Sequence, residues 1–353
     1  MLPEETIPVR ADEVFDVSAV ERYLRSQLQE VGAEALVVRQ FPAGASNLTY
    51  LLRMGAWEGV LRRPPLGPVP PRAHDMEREC RLLQKIHPVF PLAPRPYLFC
   101  DDLSVIGAPF YVMERRHGIV LNDRFPPTHP PTEALCARLS QAVVETLAQI
   151  HAVDWQAVGL GDFGYPQGFL ARQVKRWIEA YARAQTDELP LVEPLTRWLT
   201  EHRPEEQQPT LIHNDFKLNN MLLNAENLMT PAAVLDWEMA TIGDPLLDLA
   251  ITLSYWVNPD DPEELRTMLP TVTTHPGFIS RAAFMERYAE LTGRDLSAMP
   301  FYLVFGYFRM VVIIQQIYAR WKRGQTQDER FAGFGSRVRA LVAHAARLAE
   351  SAP

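Results

Sequence analysis

Polar side chains that could handle a proton and a metal ion are concentrated in one short segment. In "LIHNDFKLNNMLLN" (211–224), Asp215 and Asn220 stand between two apolar runs that predict buried strands. Asp236 ends the next apolar run, "AVLDW", and a hairpin between these strands would bring Asn220 and Asp236 to the same side. Amide and carboxylate oxygens are ligands that Mg²⁺ takes in proteins. Asp215 would then be free to accept a proton from an incoming hydroxyl group.

The elements that must position these residues differ between the two parts of the chain. In the first part, short runs rich in branched apolar residues, separated by turn signals, predict five strands, at 35–41, 47–54, 58–63, 96–102 and 109–116. Apolar residues at helical spacing predict one main helix, at 73–87. We therefore predict an N-terminal lobe, residues 1–115, with a five-stranded antiparallel sheet.

The remainder of the chain has the periodicity of amphipathic helices. Helices are predicted at 132–153, 168–185, 243–257, 280–293, 299–323 and 327–350. Short strands are predicted within the catalytic segment, at 210–213, 221–224 and 232–236. Residues 116–353 are therefore predicted to form a mostly helical lobe, and the whole chain an α+β fold with two lobes.

Composition excludes several classes of protein. The net charge of −8 argues against a nucleic-acid-binding protein, which would usually carry a basic surface. The three cysteines are far apart and not in a CxxC pair, which predicts free thiols in a reducing compartment. The N-terminus lacks the apolar core of a signal peptide. The apolar segment 301–318 contains Arg309 and two glutamines, which predicts a buried helix rather than a membrane span. We expect a cytoplasmic protein.

The catalytic segment resembles the catalytic and metal-binding loops of protein-kinase-like phosphotransferases. The resemblance lies in the spacing His-x-Asp-x4-Asn, followed sixteen residues later by an aspartate at the end of a strand. From about residue 20 to 350 the chain resembles the aminoglycoside phosphotransferase and choline kinase superfamily, in the branch similar to the kinase-like domains fused to acyl-CoA dehydrogenases. The resemblance rests on "GASNLTYLL", "VLRRPP", "ERECRLL", "LAQIHAVDW", "HNDFKLNNML", "VLDWEMATIGDPLLDLA" and "FRMVVIIQQIYARWKRG".

The resemblance implies a protein-kinase-like fold that uses ATP and Mg²⁺. It implies that Asp215 is the catalytic base and that Asn220 and Asp236 are magnesium ligands. It also implies that Arg62, in the place of the usual lysine, forms a phosphate-binding pair with Glu79.

Supporting and nucleotide-binding residues follow from the same resemblance. His213 would brace the catalytic loop, and Asp248 would tie that loop to the helix behind it. The residues implied to contact the nucleotide are Gly44, Ser46 and Asn47 in the covering loop, Arg62 and Glu79, and Met113, Glu114 and Arg116 beside the adenine.

Both members of the phosphate-binding pair have a rival. Side chains alternate along a strand, so only one of Arg62 and Arg63 points toward the site. Glu77 lies two residues before Glu79 on the same predicted helix. We favour Arg62 and Glu79.

Other candidate residues have ordinary structural alternatives. His213 could be a buried core histidine, and Asp244 a helix N-cap. Glu238 is either a partner of a metal ligand or an exposed turn residue. Arg309 must be paired because a buried charge is costly, and its partner is either a structural carboxylate or an anionic group of the substrate.

The predicted function is phosphorylation of a hydroxyl group on a small molecule. Only seven residues separate Asp236 from Asp244, which leaves little room for the activation segment of a protein kinase. Candidate residues at the acceptor are Arg309, Tyr255 and Tyr318. The acceptor could be a hydroxy acid or an acyl-type metabolite rather than an antibiotic. The alternatives are a catalytically silent, nucleotide-binding pseudokinase and, less favoured, a protein kinase.

Overall fold

The chain divides into two compact units in a computed structural model that describes residues 5–42, 47–67, 74–269, 271–326 and 328–352. Unit 1 contains the described residues up to Ile119, together with Leu222–Ala225 and Pro231–Glu238. Unit 2 contains the described residues of Val120–Met221, Glu226–Thr230 and Met239–Pro353. The functional division predicted between residues 115 and 116 stays a prediction.

Unit 1 is built on an antiparallel sheet of five strands, as predicted. The strands are β1 (Val37–Gln40), β2 (Leu48–Met54), β3 (Trp57–Arg63), β4 (Pro96–Cys100) and β5 (Phe110–Glu114). Their order in the sheet is β1-β2-β3-β5-β4. The predicted main helix is α2 (Met76–Ile86), which begins where the side chain of Asp75 accepts a hydrogen bond from the backbone N–H of Arg78.

Two further helices of unit 1 were not predicted, α1 (Val17–Gln27) and the short α3 (Leu103–Ile106). In α1, Val17, Val20 and Leu24 recur at helical spacing, and Val20 and Leu24 are fully buried. These two residues pack into a core with the sheet residues Tyr50, Leu52 and Leu61, and with the rest of one buried cluster. Packing against the sheet therefore stabilises this amphipathic helix.

Unit 2 is mostly helical. Its helices are α4 (Glu133–His151), α5 (Phe169–Ala184), α6 (Val192–Glu201), α7 (Pro245–Tyr255), α8 (Glu263–Met268), α9 (Arg281–Thr292), α10 (Met299–Lys322) and α11 (Phe334–Ser351). Five of the six predicted helices are confirmed to within two residues at each end, whereas the helix predicted at 327–350 begins only at Phe334. The short α6 and α8 were not predicted.

Short strands surround the catalytic segment. The strand β6 (Thr210–Ile212) pairs with β9 (Thr241–Gly243), and β7 (Met221–Leu223) pairs with β8 (Pro231–Val234). The β7–β8 hairpin was predicted, whereas β9 was not. Gly243 is required in β9, because a Cβ there would lie 2.7 Å from the ring of Phe169.

The long apolar helix α10 is buried, as predicted. Among the described residues it is the one helix long and apolar enough to cross a membrane, yet 67% of its apolar window is buried within the protein. A Cβ at Gly306 would lie 2.9 Å from the backbone oxygen of Ala250, so α10 approaches α7 closely at this point. Cys80, Cys100 and Cys136 are free and buried, as predicted.

Candidate active site

In unit 1, β3 and α2 bring Arg62 and Glu79 together. Nη1 of Arg62 lies 2.5 Å from Oε1 of Glu79, and both side chains are buried. Arg63 points to the other face of the sheet, where it donates to the carbonyl oxygen of Ile106 at 3.3 Å. Glu77 is exposed. The geometry therefore selects the favoured member of each rival pair, although binding of phosphate stays a prediction.

The second amino group of Arg62 contacts two more carboxylates. Nη2 lies 3.1 Å from Oδ1 of Asp236 and 3.3 Å from Oε2 of Glu238. Burial alone would lower the pKa of Arg62, but the carboxylates of Glu79, Asp236 and Glu238 raise it well above its ordinary value. Arg62 therefore stays charged. Because Glu79 already pairs with it, the partly exposed Asp236 and Glu238 leave an excess of negative charge, which suits a divalent cation.

Glu238 is also bound to the segment that precedes β2. Its Oε2 accepts a hydrogen bond from Nδ2 of Asn47 at 2.5 Å, and Oδ1 of Asn47 lies 2.8 Å from Nδ1 of His74. The side chain of Glu238 is 18% exposed, so its interpretation as an exposed turn residue is wrong. Gly44 and Ser46, also predicted to contact the nucleotide, lie outside the described residues.

The residues predicted beside the adenine lie at the end of β5. Met113 is buried, and the backbone N–H of Glu114 donates to the carbonyl oxygen of Arg95 at 2.8 Å. Oε1 of Glu114 accepts from the backbone of Arg95 at 2.6 Å and from Nε of Arg116 at 2.8 Å. Arg116 also donates to the carbonyl oxygen of Pro91 at 2.7 Å. These contacts fix the end of β5, while the nucleotide contacts themselves stay predictions.

In unit 2, the catalytic loop (residues 213–220) follows β6 and is held from behind by Asp248. The two carboxylate oxygens of Asp248 accept hydrogen bonds from the backbone N–H groups of His213 and Asn214, each at 2.7 Å. Both His213 and Asp248 are fully buried. Asp248 lies in the first turn of α7, whose N-cap is Asp244, as predicted. The loop is thus fixed to a buried helix through its main chain.

A histidine that the sequence analysis did not select completes this support. Nε2 of His151, the last residue of α4, lies 3.1 Å from Oδ2 of Asp248. Its Nδ1 lies 2.6 Å from the hydroxyl oxygen of Tyr288. Burial alone would raise the pKa of Asp248, but its interactions with His151 and the loop lower it below the ordinary value. The motif "LAQIHAVDW" contains His151, yet its contact is 97 residues away in sequence.

The carboxylate of Asp215 is paired within the loop. Nζ of Lys217 lies 2.9 Å from each of its oxygens, and Nδ2 of Asn220 donates to Oδ2 at 3.1 Å. Nδ2 of Asn220 also donates to the backbone oxygen of Asp215 at 2.8 Å, which leaves its Oδ1 as the atom suited to a cation. Lys217 was not selected from the sequence, although it lies in the same segment. Its ammonium group also lies 4.7 Å from the ring centroid of Tyr255.

Arg309, a predicted acceptor residue, reaches the same loop from α10. Its Nη1 donates to Oδ1 of Asn214 at 2.8 Å, and its guanidinium lies 4.7 Å from the ring centroid of Trp177. Burial lowers the pKa of Arg309 to about 10, while the nearby carboxylates of Asp215 and Asp248 act in the opposite direction. The expectation that a structural carboxylate pairs directly with Arg309 is wrong, because an amide takes that place.

The two predicted tyrosines differ in their surroundings. Tyr255 lies beside Lys217, close to Asp215. Tyr318 lies nine residues after Arg309 on α10, about 13 Å further along the helix axis. It stacks on Trp321 with ring centroids 6.0 Å apart and packs against Gly335 at the start of α11. The structure therefore brings Tyr255, but not Tyr318, to the catalytic loop.

The sheet, the helical unit and the catalytic loop define a protein-kinase-like architecture. The model of the family described as "Phosphotransferase enzyme family" (APH) matches residues 37–272, two thirds of the chain. The chain therefore belongs to this phosphotransferase family, which confirms the predicted resemblance.

Curated relatives are similar over almost the whole chain. Acyl-CoA dehydrogenase family member 10 of Mus musculus is 34% identical over 92% of this chain and 30% of the relative. Acyl-CoA dehydrogenase family member 11 of Homo sapiens is 34% identical over 93% of this chain and 42% of the relative. This chain thus spans less than half the length of these relatives.

Solved structures confirm the fold. A protein from Ralstonia eutropha JMP134, provisionally named an aminoglycoside phosphotransferase, has a TM-score of 0.83 and 30% identity and covers 96% of this chain and 100% of its own. Aminoglycoside phosphotransferase APH(4)-Ia, in complex with AMP-PNP and hygromycin B, has a TM-score of 0.58 and 21% identity, over 92% and 98% of the chains. Choline kinase from Cryptosporidium parvum has a TM-score of 0.61 and 13% identity, over 95% and 96%. At these identities the last two show the fold alone.

Proposed function

We propose that this protein is an ATP- and Mg²⁺-dependent phosphotransferase of the cytoplasm that phosphorylates a hydroxyl group of a small molecule. The observation that carries the proposal is the catalytic loop. Its backbone is bonded to the buried carboxylate of Asp248, and it presents the partly exposed carboxylate of Asp215. A rigid support with one accessible carboxylate is the arrangement that a positioned general base requires.

In the proposed reaction Asp215 orients the acceptor hydroxyl group and accepts its proton while the oxygen attacks the γ-phosphorus and ADP leaves. Phosphoryl transfer depends mostly on positioning and on electrostatic stabilisation. Arg62, kept charged by its carboxylates, would hold phosphate oxygens. Asn220 and Asp236 would supply oxygen ligands for Mg²⁺, whose charge offsets that of the phosphates. These metal-binding roles stay predictions from the sequence.

Three observations support a small acceptor of anionic or acyl type. The segment after Asp236 contains β9 at residues 241–243, paired with β6, which leaves little chain for an activation segment. Lys217 and Arg309 place two positive charges near Asp215, which disfavours a polycationic antibiotic. The curated relatives are named as acyl-CoA dehydrogenases. A hydroxy acid or a hydroxylated acyl compound fits these observations.

The test is a set of hydroxylated compounds assayed for ADP formation with Mg²⁺-ATP. The set contains hydroxy acids, their acyl thioesters, sugars, choline and aminoglycosides. The variant Asp215→Asn is expected to lose turnover about a hundredfold or more while ATP binding stays unchanged. Asp123→Asn, a change of the same kind at an exposed position, is the matched control. Full turnover in Asp215→Asn would refute the base assignment.

Binding measurements separate the enzyme from a pseudokinase. Asp236→Ala is expected to abolish Mg²⁺-dependent ATP binding, because a carboxylate ligand is lost. A pseudokinase would bind ATP without phosphorylating any compound of the set. Unchanged Mg²⁺-dependent binding in Asp236→Ala would contradict the proposed metal role.

A further inference from the structure

The residue before the proposed base has an uncommon backbone conformation. Asn214 has φ = +66°, in the left-handed region, and it is 7% exposed. Few residues other than glycine adopt this region, and asparagine is among those that do so most readily. Because Asp215 follows directly, the conformation of Asn214 decides where the carboxylate of Asp215 points.

The polar groups of Asn214 are all bonded within the protein. Its N–H donates to Asp248 at 2.7 Å, and its Nδ2 donates to the carbonyl oxygen of Met239 at 3.1 Å. Both of its oxygens accept from Arg309. Nη1 donates to Oδ1 at 2.8 Å, and Nη2 approaches the backbone oxygen at 3.3 Å. That backbone oxygen belongs to the peptide group that joins Asn214 to Asp215.

Arg309 is committed to this contact. It is 4% exposed, on the buried face of α10, and its guanidinium lies against the ring of Trp177. A planar guanidinium presents its donors in a fixed fork that bonds two separated oxygens, whereas an ammonium group is a compact point charge. With both amino groups bonded to Asn214, Arg309 is better placed to hold the loop than to bind a substrate anion.

We propose that Arg309 is a positioning residue that fixes the peptide between Asn214 and Asp215 and thereby sets the direction of the catalytic carboxylate. Asp248 holds the N–H groups of residues 213 and 214, and Arg309 holds the carbonyl group of residue 214. Together they fix consecutive peptide groups on the approach to Asp215. The proposal depends on the proposed function only in naming Asp215 as the base.

Hydrogen exchange tests the structural half of the proposal without any assay of activity. In Arg309→Met, the amides of peptides that span 211–220 are expected to exchange about tenfold faster or more, because the loop loses two charged hydrogen bonds. The exchange rates of the amides in β2 and β3 are expected to be unchanged. Gln315→Met is the matched control: Gln315 is also buried on α10, but it bonds to Ala184 and Thr186. Unchanged exchange in folded Arg309→Met, or the same change in the control, would overturn the proposal.

Kinetics test the functional half. Arg309→Met is expected to lower kcat about 10- to 100-fold with the KM for ATP unchanged, because a small displacement of the base is costly. Arg309→Lys keeps the charge but loses the planar fork of donors, and its kcat is expected to fall between those of Arg309→Met and the wild type. A change confined to the KM of the acceptor would instead assign Arg309 to substrate binding and overturn the proposal.

A second variant keeps the proposal testable if Arg309→Met does not fold. Asn214→Gly suits the positive φ angle and removes the amide that Arg309 bonds. In the double variant of Arg309→Met and Asn214→Gly, the fall in kcat is expected to be smaller than the product of the two single effects. Both changes remove the same contact between the two side chains. If Arg309→Met does not fold, Arg309→Lys takes its place in the double variant with Asn214→Gly, and the same comparison of kcat values applies. Independent effects on kcat would overturn the proposal.

If no acceptor is phosphorylated by the wild type, the proposed function fails, and the exchange experiment still decides whether Arg309 holds the loop.

Discussion

Replacing Asp248 with asparagine keeps the size of the side chain but exchanges one of its two acceptor oxygens for an amino group. The wild-type carboxylate accepts from the N–H groups of His213 and Asn214 at 2.7 Å and contacts His151 at 3.1 Å. In either orientation of the new amide, one backbone N–H faces a donor. A buried donor left without an acceptor costs about 1–3 kcal/mol, and the remaining bonds lose their charge assistance. We expect the free energy of unfolding to fall by about 3 kcal/mol near neutral pH.

The effect of Asp248→Asn should depend on pH in a defined direction. The pKa of Asp248 is lower in the folded protein than its ordinary value, because its hydrogen bonds to His151 and the loop outweigh the opposing effect of burial. A carboxyl group of this kind stabilises the folded state fully above the unfolded pKa, about 3.9, and loses this contribution as pH falls through the folded pKa. The difference in stability between wild type and variant should therefore be constant above about pH 5 and shrink below about pH 4.

Denaturant unfolding at a series of pH values measures this difference. Ser254→Ala is the matched control on the same helix, since the buried hydroxyl group of Ser254 donates to the carbonyl oxygen of Ile251 within that helix, at 2.7 Å. We expect the control to lose less than about 1 kcal/mol at every pH. A variant Asp248→Asn as stable as the wild type, or a difference that does not shrink in acid, would refute the role assigned to the charge of Asp248.

Three other changes have defined expected outcomes. Glu79→Gln should lower the free energy of unfolding by about 3 kcal/mol in denaturant titrations, because its buried arginine partner loses its shortest ion pair, and titration with ATP should show weaker binding. The exposed Glu77→Gln on the same helix is its control, and an equal loss there would contradict this reasoning. Lys217→Met should lower turnover but change the stability by less than about 1 kcal/mol, since its pair with Asp215 is partly exposed; unchanged turnover would refute a role for the lysine. Gly306→Ala should cost about 1–3 kcal/mol, because the new methyl group would meet the backbone of α7, and a fully stable variant would contradict the close helix contact.

Local patterns in the sequence predict the sheet and the main helices because each pattern reports the burial of its own element. The alternation along β3 separates Arg62 from Arg63, and helical spacing places Glu79 rather than Glu77 on the buried face of α2. Some short elements were missed, such as β9 with three residues and α8 with six. The helix α1 was missed although Val17, Val20 and Leu24 recur at helical spacing in the sequence.

Contacts between distant segments could not be predicted, because spacing along one element carries no information about its partner. His151 and Asp248 are 97 residues apart, and Arg309 and Asn214 are 95 residues apart. The rule that a buried charge needs a partner did predict that Arg309 is paired. It did not identify the partner, because an asparagine in the left-handed region presents two oxygens that satisfy a guanidinium as a carboxylate would.

The two separated amino groups of a guanidinium also explain how an arginine can stand at position 62, where the resemblance leads us to expect a lysine. Arg62 contacts three carboxylates with two different amino groups, Nη1 toward Glu79 and Nη2 toward Asp236 and Glu238. An ammonium group is a single point charge, whereas a planar guanidinium bonds at two separated positions at once. The arginine can therefore keep its bond to Glu79 on α2 while the other amino group contacts a separate set of acceptors. Glu238 contacts both Arg62 and Asn47, so this carboxylate links the second amino group of the arginine to the segment before β2.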